Sequence, residues 1–328
     1  MPILVTGATG FLGGAVARRL AASGHAVVGT GRDAEAGAAL ERDGVRFLLL
    51  DLADEAAVGE AVRRCEAVVH CAALAAPWGP AAEFWASNVV GTRHVVAACA
   101  AAGVRRLVHV STPSVCFGAE SRLDVAEADP LPDLPLTAYA ASKQIAEALV
   151  AAAVADGLDA VVVRPRAIYG PGDRVVLPRL VAALRAGRLP QIGDGQNVAS
   201  VTYVGNAVAA VVACLDGPPH LAGRLYHVAD DAPVAVWEMV ARLATALHLP
   251  APTRRVPLRR ALRIAAALEW TYRRFGIRRE PPLTRYGVSV LGHSQTLDTR
   301  ALRCDLGLDL PPRVERGLAE FVSELRAP

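Results

Sequence analysis

Ile3-Leu4-Val5-Thr6 is a short run of strand-forming residues that ends directly in Gly7-Ala8-Thr9-Gly10-Phe11-Leu12-Gly13, and an amphipathic segment, Leu12–Ser23, follows. A strand that turns on glycine into a helix leaves the first helical amides unpaired and points the positive end of the helix dipole at the turn. Gly7 permits the tight turn, Gly10 lets a phosphate approach the backbone, and Gly13 lets helix and strand pack closely. A glycine triplet alone is a weak signal; the strand-turn-helix setting gives it force. We therefore expect a dinucleotide-binding unit with Gly7, Thr9, Gly10, Phe11, Leu12 and Gly13 around the pyrophosphate.

The first half keeps the same rhythm. Strand candidates Ala26–Gly29, Val45–Leu50, Ala67–His70, Arg106–Val110 and Ala160–Arg164 alternate with helix candidates Ala34–Asp43, Glu55–Arg64, Ala82–Ala102 and Ala138–Ala155. Near-continuous apolar strands separated by helices predict an α/β fold, a Rossmann-type doubly wound parallel sheet covered on both faces. From about residue 171 the texture changes to turn signals, Gly170-Pro171-Gly172-Asp173 and Gly193-Asp194-Gly195, and then to Pro250, Pro252, Pro257, Pro281 and Pro282. We expect residues 1–170 to bind the nucleotide and 171–328 to form mainly a smaller C-terminal substrate lobe, with strand or helix returns to the sheet near 200–230.

Several classes are excluded or disfavoured by composition. At 53% hydrophobic and 20% charged residues the chain is far from a disordered one. No apolar run approaches the roughly 18 residues of a membrane span; the longest lies around Ala207–Leu215. The first apolar run enters a glycine turn and reads as a strand, not a signal peptide. Six cysteines are scattered singly without ligand spacing, which fits reduced thiols, a cytoplasmic location and no metal site. A net charge of +3 is too small to argue for nucleic acid.

The second strand bears on the choice of nucleotide. An NAD site usually ends it with an acidic residue that accepts from the ribose 2′-hydroxyl. Here the strand runs Val27-Val28-Gly29-Thr30-Gly31-Arg32-Asp33, with Gly31 at the acid position. A guanidinium beside a missing carboxylate suits a 2′-phosphate and favours NADP(H); the other reading is that Asp33 takes the ribose. Asp51-Leu52, ending the third strand, is the natural adenine contact, unless Asp51 only caps the next helix.

Tyr139-Ala140-Ala141-Ser142-Lys143 puts a phenol and an ammonium four residues apart on one helical face. Of the 35 basic side chains only Lys143 is lysine, so 35 − 1 = 34 are arginine, and a lone lysine in so arginine-biased a chain invites a chemical reading. A ketone reductase needs a proton donor and a dehydrogenase needs the reverse. A fixed cation near a phenol lowers its pKa and suits it to that exchange.

Taken together, TGATGFLG, Asp51-Leu52, Cys71-Ala72-Ala73, Asn88-Val89-Val90-Gly91-Thr92, Val110-Ser111-Thr112-Pro113-Ser114-Val115, YAASK and Arg164-Pro165-Arg166-Ala167-Ile168-Tyr169-Gly170-Pro171-Gly172-Asp173 occur in one order and spacing. By these the chain resembles the extended short-chain dehydrogenase/reductases over nearly its whole length, and within them the 3β-hydroxysteroid dehydrogenase-like branch. Trp78-Gly79, Gly193-Asp194-Gly195-Gln196-Asn197 and Glu280-Pro281-Pro282-Leu283-Thr284-Arg285 strengthen that likeness. The resemblance implies Tyr139 as general acid/base, Lys143 as its electrostatic partner and Thr112 as the hydroxyl on the reacting oxygen, with Ser111 and Ser114 as contenders. It implies Ala72 and Ala73 along the nicotinamide ribose, Pro165 and Ile168 along the ring, and a homodimer through the helices at Ala82–Ala102 and Ala138–Ala155. Asn88 falls where relatives hold a water or proton relay; an Asn bonding strand backbone is an equal reading. Dehydratases of the family place Asp-Glu after the Ser/Thr, where this chain has Pro113-Ser114, which disfavours dehydration.

Trp78, Phe84 and Trp85 follow the fourth strand, where they wall an apolar pocket or simply pack. Ten arginines lie between Ala251 and Arg285 against Glu269 and Glu280, with interleaved Leu and Ala. That amphipathic basic stretch, residues 254–279, suits either a lid over the site or a peripheral contact with an anionic membrane. The function expected is an NADP(H)-dependent oxidoreductase interconverting a ketone and a secondary alcohol on an apolar small molecule, a β-keto acid or steroid-like. The alternatives are a nucleotide-sugar epimerase with tightly bound NAD and an NADP(H)-sensing interaction protein.

Overall fold

The computed structural model describes residues 1–326. β1 (Ile3–Thr6), β2 (Val27–Gly31), β3 (Arg46–Leu49), β4 (Ala67–His70) and β5 (Arg106–Val110) join Ala160–Pro165 and Leu225–Val228 in one seven-stranded sheet. Every pairing in it is parallel, and the order runs Leu225–Val228, Ala160–Pro165, β5, β4, β1, β2, β3. The near-continuous apolar strands follow from burial of both faces. Ile3, Val5, Val69, Val108 and Val161 pack on one side with α1 (Phe11–Ala22) and the helix Val204–Asp216. Leu4, Val68, Leu107 and Val162 pack on the other with α3 (Glu55–Arg63) and the helix Gly91–Ala102. The chain leaves β1 toward one edge and later resumes at β4 on its other side. That reversal opens a crevice at the carboxyl ends of β1 and β4, the place where open α/β sheets bind ligands.

Short polar residues cap the helices that frame this crevice. Asp33 accepts from Ala36 N at the start of α2 (Ala34–Arg42), and Thr137 accepts from Ala140 N at the start of Ala138–Ala155. Asp54, not Asp51, caps α3, through Ala57 N. Asp51 instead accepts from Ala53 N at 3.0 Å in a local turn, so the alternative cap reading of Asp51 fails.

The stretch expected as a single helix over Ala82–Ala102 is interrupted by a π-helical turn, Trp85–Val90, between Ala81–Phe84 and Gly91–Ala102. The wider turn brings Asn88 inward, and such turns recur at functional sites. The apolar run at Ala207–Leu215 lies within the helix Val204–Asp216, which returns to cover α1, and Leu225–Val228 then extends the sheet. A second, four-stranded sheet combines Val234–Ala235, Val198–Ala199, Gln295–Leu297 and Arg122–Val125. It therefore draws one strand from before residue 170. The C-terminal lobe has its own core around Leu177, Val181, Trp237, Leu243, Ala265 and Phe321. No helix among the described residues is long and apolar enough to cross a membrane.

Candidate active site

The glycine turn is held by contacts that admit no side chain. Gly7 sits at φ +67°, and a Cβ on it would lie 2.7 Å from the backbone of Ala72. A Cβ on Gly13 would lie 2.3 Å from the Gly7 carbonyl oxygen. Gly10 begins α1 with no side-chain cap, so the first-turn amides at Phe11 and Leu12 stand open to an anion. Ala72 N donates to Thr6 Oγ1 at 3.3 Å, which holds the end of β4, with Ala73 next to it, beside the turn. At the tip of β2, a Cβ on Gly31 would fall 2.4 Å from Thr9 Oγ1, so the position expected to carry an acid is filled by a threonine hydroxyl. Arg32 beside it is exposed, and Asp33 has one carboxylate oxygen committed to its helix cap. Leu52 is fixed by His94 Nδ1 at 2.7 Å from its carbonyl and by close packing on Gly91. These features fit a dinucleotide laid across the turn.

The Tyr139–Lys143 pair sits at the start of the helix Ala138–Ala155. Lys143 is buried, and its Nζ donates to the Val110 carbonyl at 2.7 Å and to His109 Nε2 at 3.1 Å. Burial lowers its pKa to about 8. The histidines beneath are neutral. Burial and the nearby ammonium push His109 well below its ordinary value and His70 down to about 3. His70 bridges Thr6 Oγ1 at 2.7 Å and Thr92 Oγ1 at 3.0 Å. With Nε2 accepting from Lys143, His109 carries its proton on Nδ1, which has no partner among the described residues.

Tyr139 departs from the sequence expectation. Burial raises its pKa, and a hydrogen bond with Thr112 offsets this only in part. The ammonium expected to lower it bonds instead to β5 through Val110 and His109. The phenol thus holds its proton at neutral pH. Thr112, the hydroxyl that the resemblance implies on the reacting oxygen, adjoins Tyr139 and donates to Ser114 Oγ at 3.1 Å. Ser114 Oγ lies 3.5 Å from the hydroxyl of Tyr286 in the C-terminal lobe. Ser111 Oγ is buried without a partner among the described residues.

Asn88 follows the backbone-bonding reading. Its Oδ1 accepts from Leu74 N at 2.7 Å, and its Nδ2 donates to Leu74 O at 3.2 Å and Ser142 Oγ at 2.9 Å. It fastens the segment after β4 to the Tyr139 helix and is a positioning residue. Trp85 is corrected: it is 52% exposed, because the π-helical turn carries it outward, while Phe84 is buried 6.4 Å, ring to ring, from Tyr139. Trp78 is half-buried against the lobe. Its Nε1 donates to Ile277 O at 3.4 Å, Tyr272 meets its ring edge-on, and Arg273 lies over its face.

Pro165 ends its strand and Ile168 pairs with Thr202, with Ala167 between them in left-handed backbone at φ +41°. That kink sets Arg166 under the STPSV loop. Arg166 is buried, donates to Gln295 Oε1 at 2.6 Å, and stacks 4.4 Å over the Phe117 ring. Burial brings its pKa to about 10, so it stays charged. A small cavity lies between Ser114, Phe117, Leu136, Arg166, Tyr286 and Ser289. Phe84 was named from sequence as a pocket wall or plain packing, whereas His109, Arg166 and Tyr286 were given no role. Arg166 stands openly in Arg164-Pro165-Arg166 but is one arginine among 34.

A model of the NAD dependent epimerase/dehydratase family matches residues 3–229. The chain is 38% identical to a 2-alkyl-3-oxoalkanoate reductase of Stenotrophomonas maltophilia, over 97% of each chain. It is 34% identical to a 3beta-hydroxysteroid-dehydrogenase/decarboxylase of Arabidopsis thaliana over 80% of this chain and 49% of that one. Among solved structures, a dTDP-glucose 4,6-dehydratase from Streptomyces venezuelae with NAD bound superposes with a TM-score of 0.79 at 26% identity, covering 99% of this chain and 97% of that one.

Proposed function

The chain belongs to the NAD dependent epimerase/dehydratase family and is an oxidoreductase of the extended short-chain dehydrogenase/reductase type; from that premise we propose that it reduces the ketone of an apolar β-keto acid to a secondary alcohol with NADPH. The observation that carries this reading is the buried Lys143 ammonium, held on β5 by the Val110 carbonyl and His109, one helical turn from Tyr139, whose phenol adjoins Thr112. A bound dinucleotide supplies a hydride there. Thr112 and Tyr139 would hold the ketone oxygen between two hydroxyls. Tyr139 gives its proton to that oxygen, and the Lys143 ammonium stabilises the phenolate left behind. NADP is favoured by Gly31 at the acid position, by the exposed Arg32, and by Asp33 being tied to its cap. The name of the Stenotrophomonas relative supports a 2-alkyl-3-oxo acid as substrate, and Pro113-Ser114 supports reduction over dehydration.

The test is NADPH-coupled formation of the 3-hydroxy acid, followed by mass spectrometry, on a panel of long-chain 3-oxo acids. Release of unchanged NAD from the purified protein, with no net redox on any ketone, favours an epimerase instead. Arg32→Ala should raise the Kd for NADPH by roughly 10- to 100-fold, as expected for a charge-assisted phosphate contact, and leave NADH within threefold. Equal weakening of both contradicts the NADP assignment.

We further propose that the basic helix meets an anionic membrane surface. Leu258–Arg274 turns Arg259, Arg260, Arg263, Ile264 and Trp270 to solvent, and Phe275 and Ile277 follow it, also exposed. Exposed aromatics ringed by guanidinium groups match the headgroup region in both polarity and charge. Ile277 touches Trp78, so this face adjoins the crevice.

A further inference from the structure

Among the described residues three arginines are buried, and two of them are neutralised. Arg106 forks onto Asp159 with both contacts at 2.8 Å. Arg164 forks onto Glu147 at 2.8 and 2.6 Å. Arg166 has no carboxylate partner among the described residues: it has the amide oxygen of Gln295, the face of Phe117, and an Nε with no partner at all. A buried guanidinium is costly unless an anion meets it, and a neutral amide and a ring face do not replace one.

The surroundings point to what is missing. Arg166 and Ser289, whose buried hydroxyl is also without a partner, line the same cavity as Ser114 and Tyr286. Ser114 is one hydrogen bond from Thr112, and Thr112 adjoins Tyr139. An anion seated on Arg166 would therefore lie beside the oxygen that Tyr139 protonates. Phe117, Leu136 and Val290 supply the apolar remainder of the wall.

We infer that Arg166 is the receptor for the carboxylate of a 3-oxo acid, with Ser289 as a further donor, and that it sets a preference for ionised keto acids over neutral ketones. A 3-oxo acid places its carboxylate one carbon away from the ketone, and Arg166 lines the cavity that is also lined by Ser114, the hydrogen-bond partner of Thr112. The planar fork of the guanidinium suits a carboxylate. This rests on the ketone-reductase reading above; the binding arm of the test does not.

The experiment compares a 2-alkyl-3-oxo acid with its methyl ester, using NADPH, in the wild type, Arg166→Gln and Arg166→Lys. The wild type should favour the acid by roughly 100-fold in kcat/KM, mostly through KM, as expected for a desolvated charge pair. Arg166→Gln should bring acid and ester within threefold by losing only acid activity, and Arg166→Lys should recover part of the preference. Acid and ester activities that fall together would mean that Arg166 only braces Gln295 and Phe117, and would overturn the inference. In the second arm, calorimetry on the wild type with NADP+ compares a 2-alkyl alkanoic acid with its primary amide. Tighter binding of the acid, abolished in Arg166→Gln, supports the site whether or not any ketone is turned over. Equal affinity of the wild type for acid and amide overturns it without reference to any variant. If the wild type reduces no ketone while this acid preference stands, the reductase reading fails and the carboxylate site does not.

Discussion

Lys143 and Tyr139 depart from their ordinary acidities in ways that make a pH profile informative. Burial lowers the Lys143 ammonium to about 8, while burial raises the Tyr139 phenol. If the ammonium is needed to stabilise phenolate, kcat/KM for ketone reduction should be flat from about pH 6 to 7.5 and fall above about pH 8, near the Lys143 pKa. Unfolding does not explain such a fall. Lys143 binds its proton less tightly folded than unfolded, so between about 8 and its unfolded value near 10.5 its contribution to stability rises with pH. A profile that falls near pH 7 instead, with a melting temperature steady across that range, would mean a low-pKa tyrosine and contradict the geometry. The glycine turn and the Tyr-Lys spacing were legible because each is a local pattern with one physical reading. The direction of the tyrosine shift was not, since spacing puts two side chains on one face but does not say which neighbour each bonds. Arg166 was illegible for another reason: its meaning lies in the carboxylate it lacks, and that is a fact of three dimensions.

Elements show the same division. The helix Ala138–Ala155 was expected with the bounds it has, because Thr137 caps it and its small residues continue without a break. The π-helical turn at Trp85–Val90 was not, because its driving force is long-range. Asn88 is drawn to Leu74 and Ser142, and the extra residue in the turn sends Trp85 to solvent in place of the pocket wall. The basic helix Leu258–Arg274 was legible as amphipathic, whereas the role of Glu269 was not. That carboxylate is buried, accepts from Arg285 N at 2.7 Å and pairs with Arg285 Nε at 2.9 Å, joining the helix to the segment that carries Tyr286. With Glu269 turned inward, the outer face keeps only basic and apolar groups to offer a membrane. Sedimentation with vesicles should show binding to phosphatidylserine-containing bilayers and little to pure phosphatidylcholine, weakened by salt over tens to hundreds of millimolar. Replacing Trp270 and Phe275 by Ser should weaken it further. Equal retention on neutral and anionic vesicles, or on neither, contradicts the membrane face.

At the scale of the molecule, the parallel sheet and its crevice follow from alternating strands and helices, while the division into two lobes is less clean than texture suggests. Proline and turn signals mark a change near residue 171, yet Leu225–Val228 returns to the main sheet and Arg122–Val125 leaves it for the smaller one. A return near 200–230 was expected, but Arg122–Val125 does not advertise its sheet, since a four-residue strand looks the same in both and pairing partners distant in sequence leave no local trace. That interleaving places the STPSV loop between the lobes, with Tyr139 on one side and Tyr286 and Arg166 on the other. The central claim is that this junction reduces a ketone with Tyr139 as proton donor and Lys143 as its cation. The most direct measurement is single-turnover consumption of NADPH with a 2-alkyl-3-oxo acid by the wild type, Tyr139→Phe and Lys143→Met. The wild type should form the 3-hydroxy acid stoichiometrically, and each variant should be slower by roughly 10²- to 10⁴-fold, the usual worth of a positioned general acid, while still binding NADPH. Consumption of neither NADPH nor NADH by the wild type, or a wild-type rate in Lys143→Met, would contradict it.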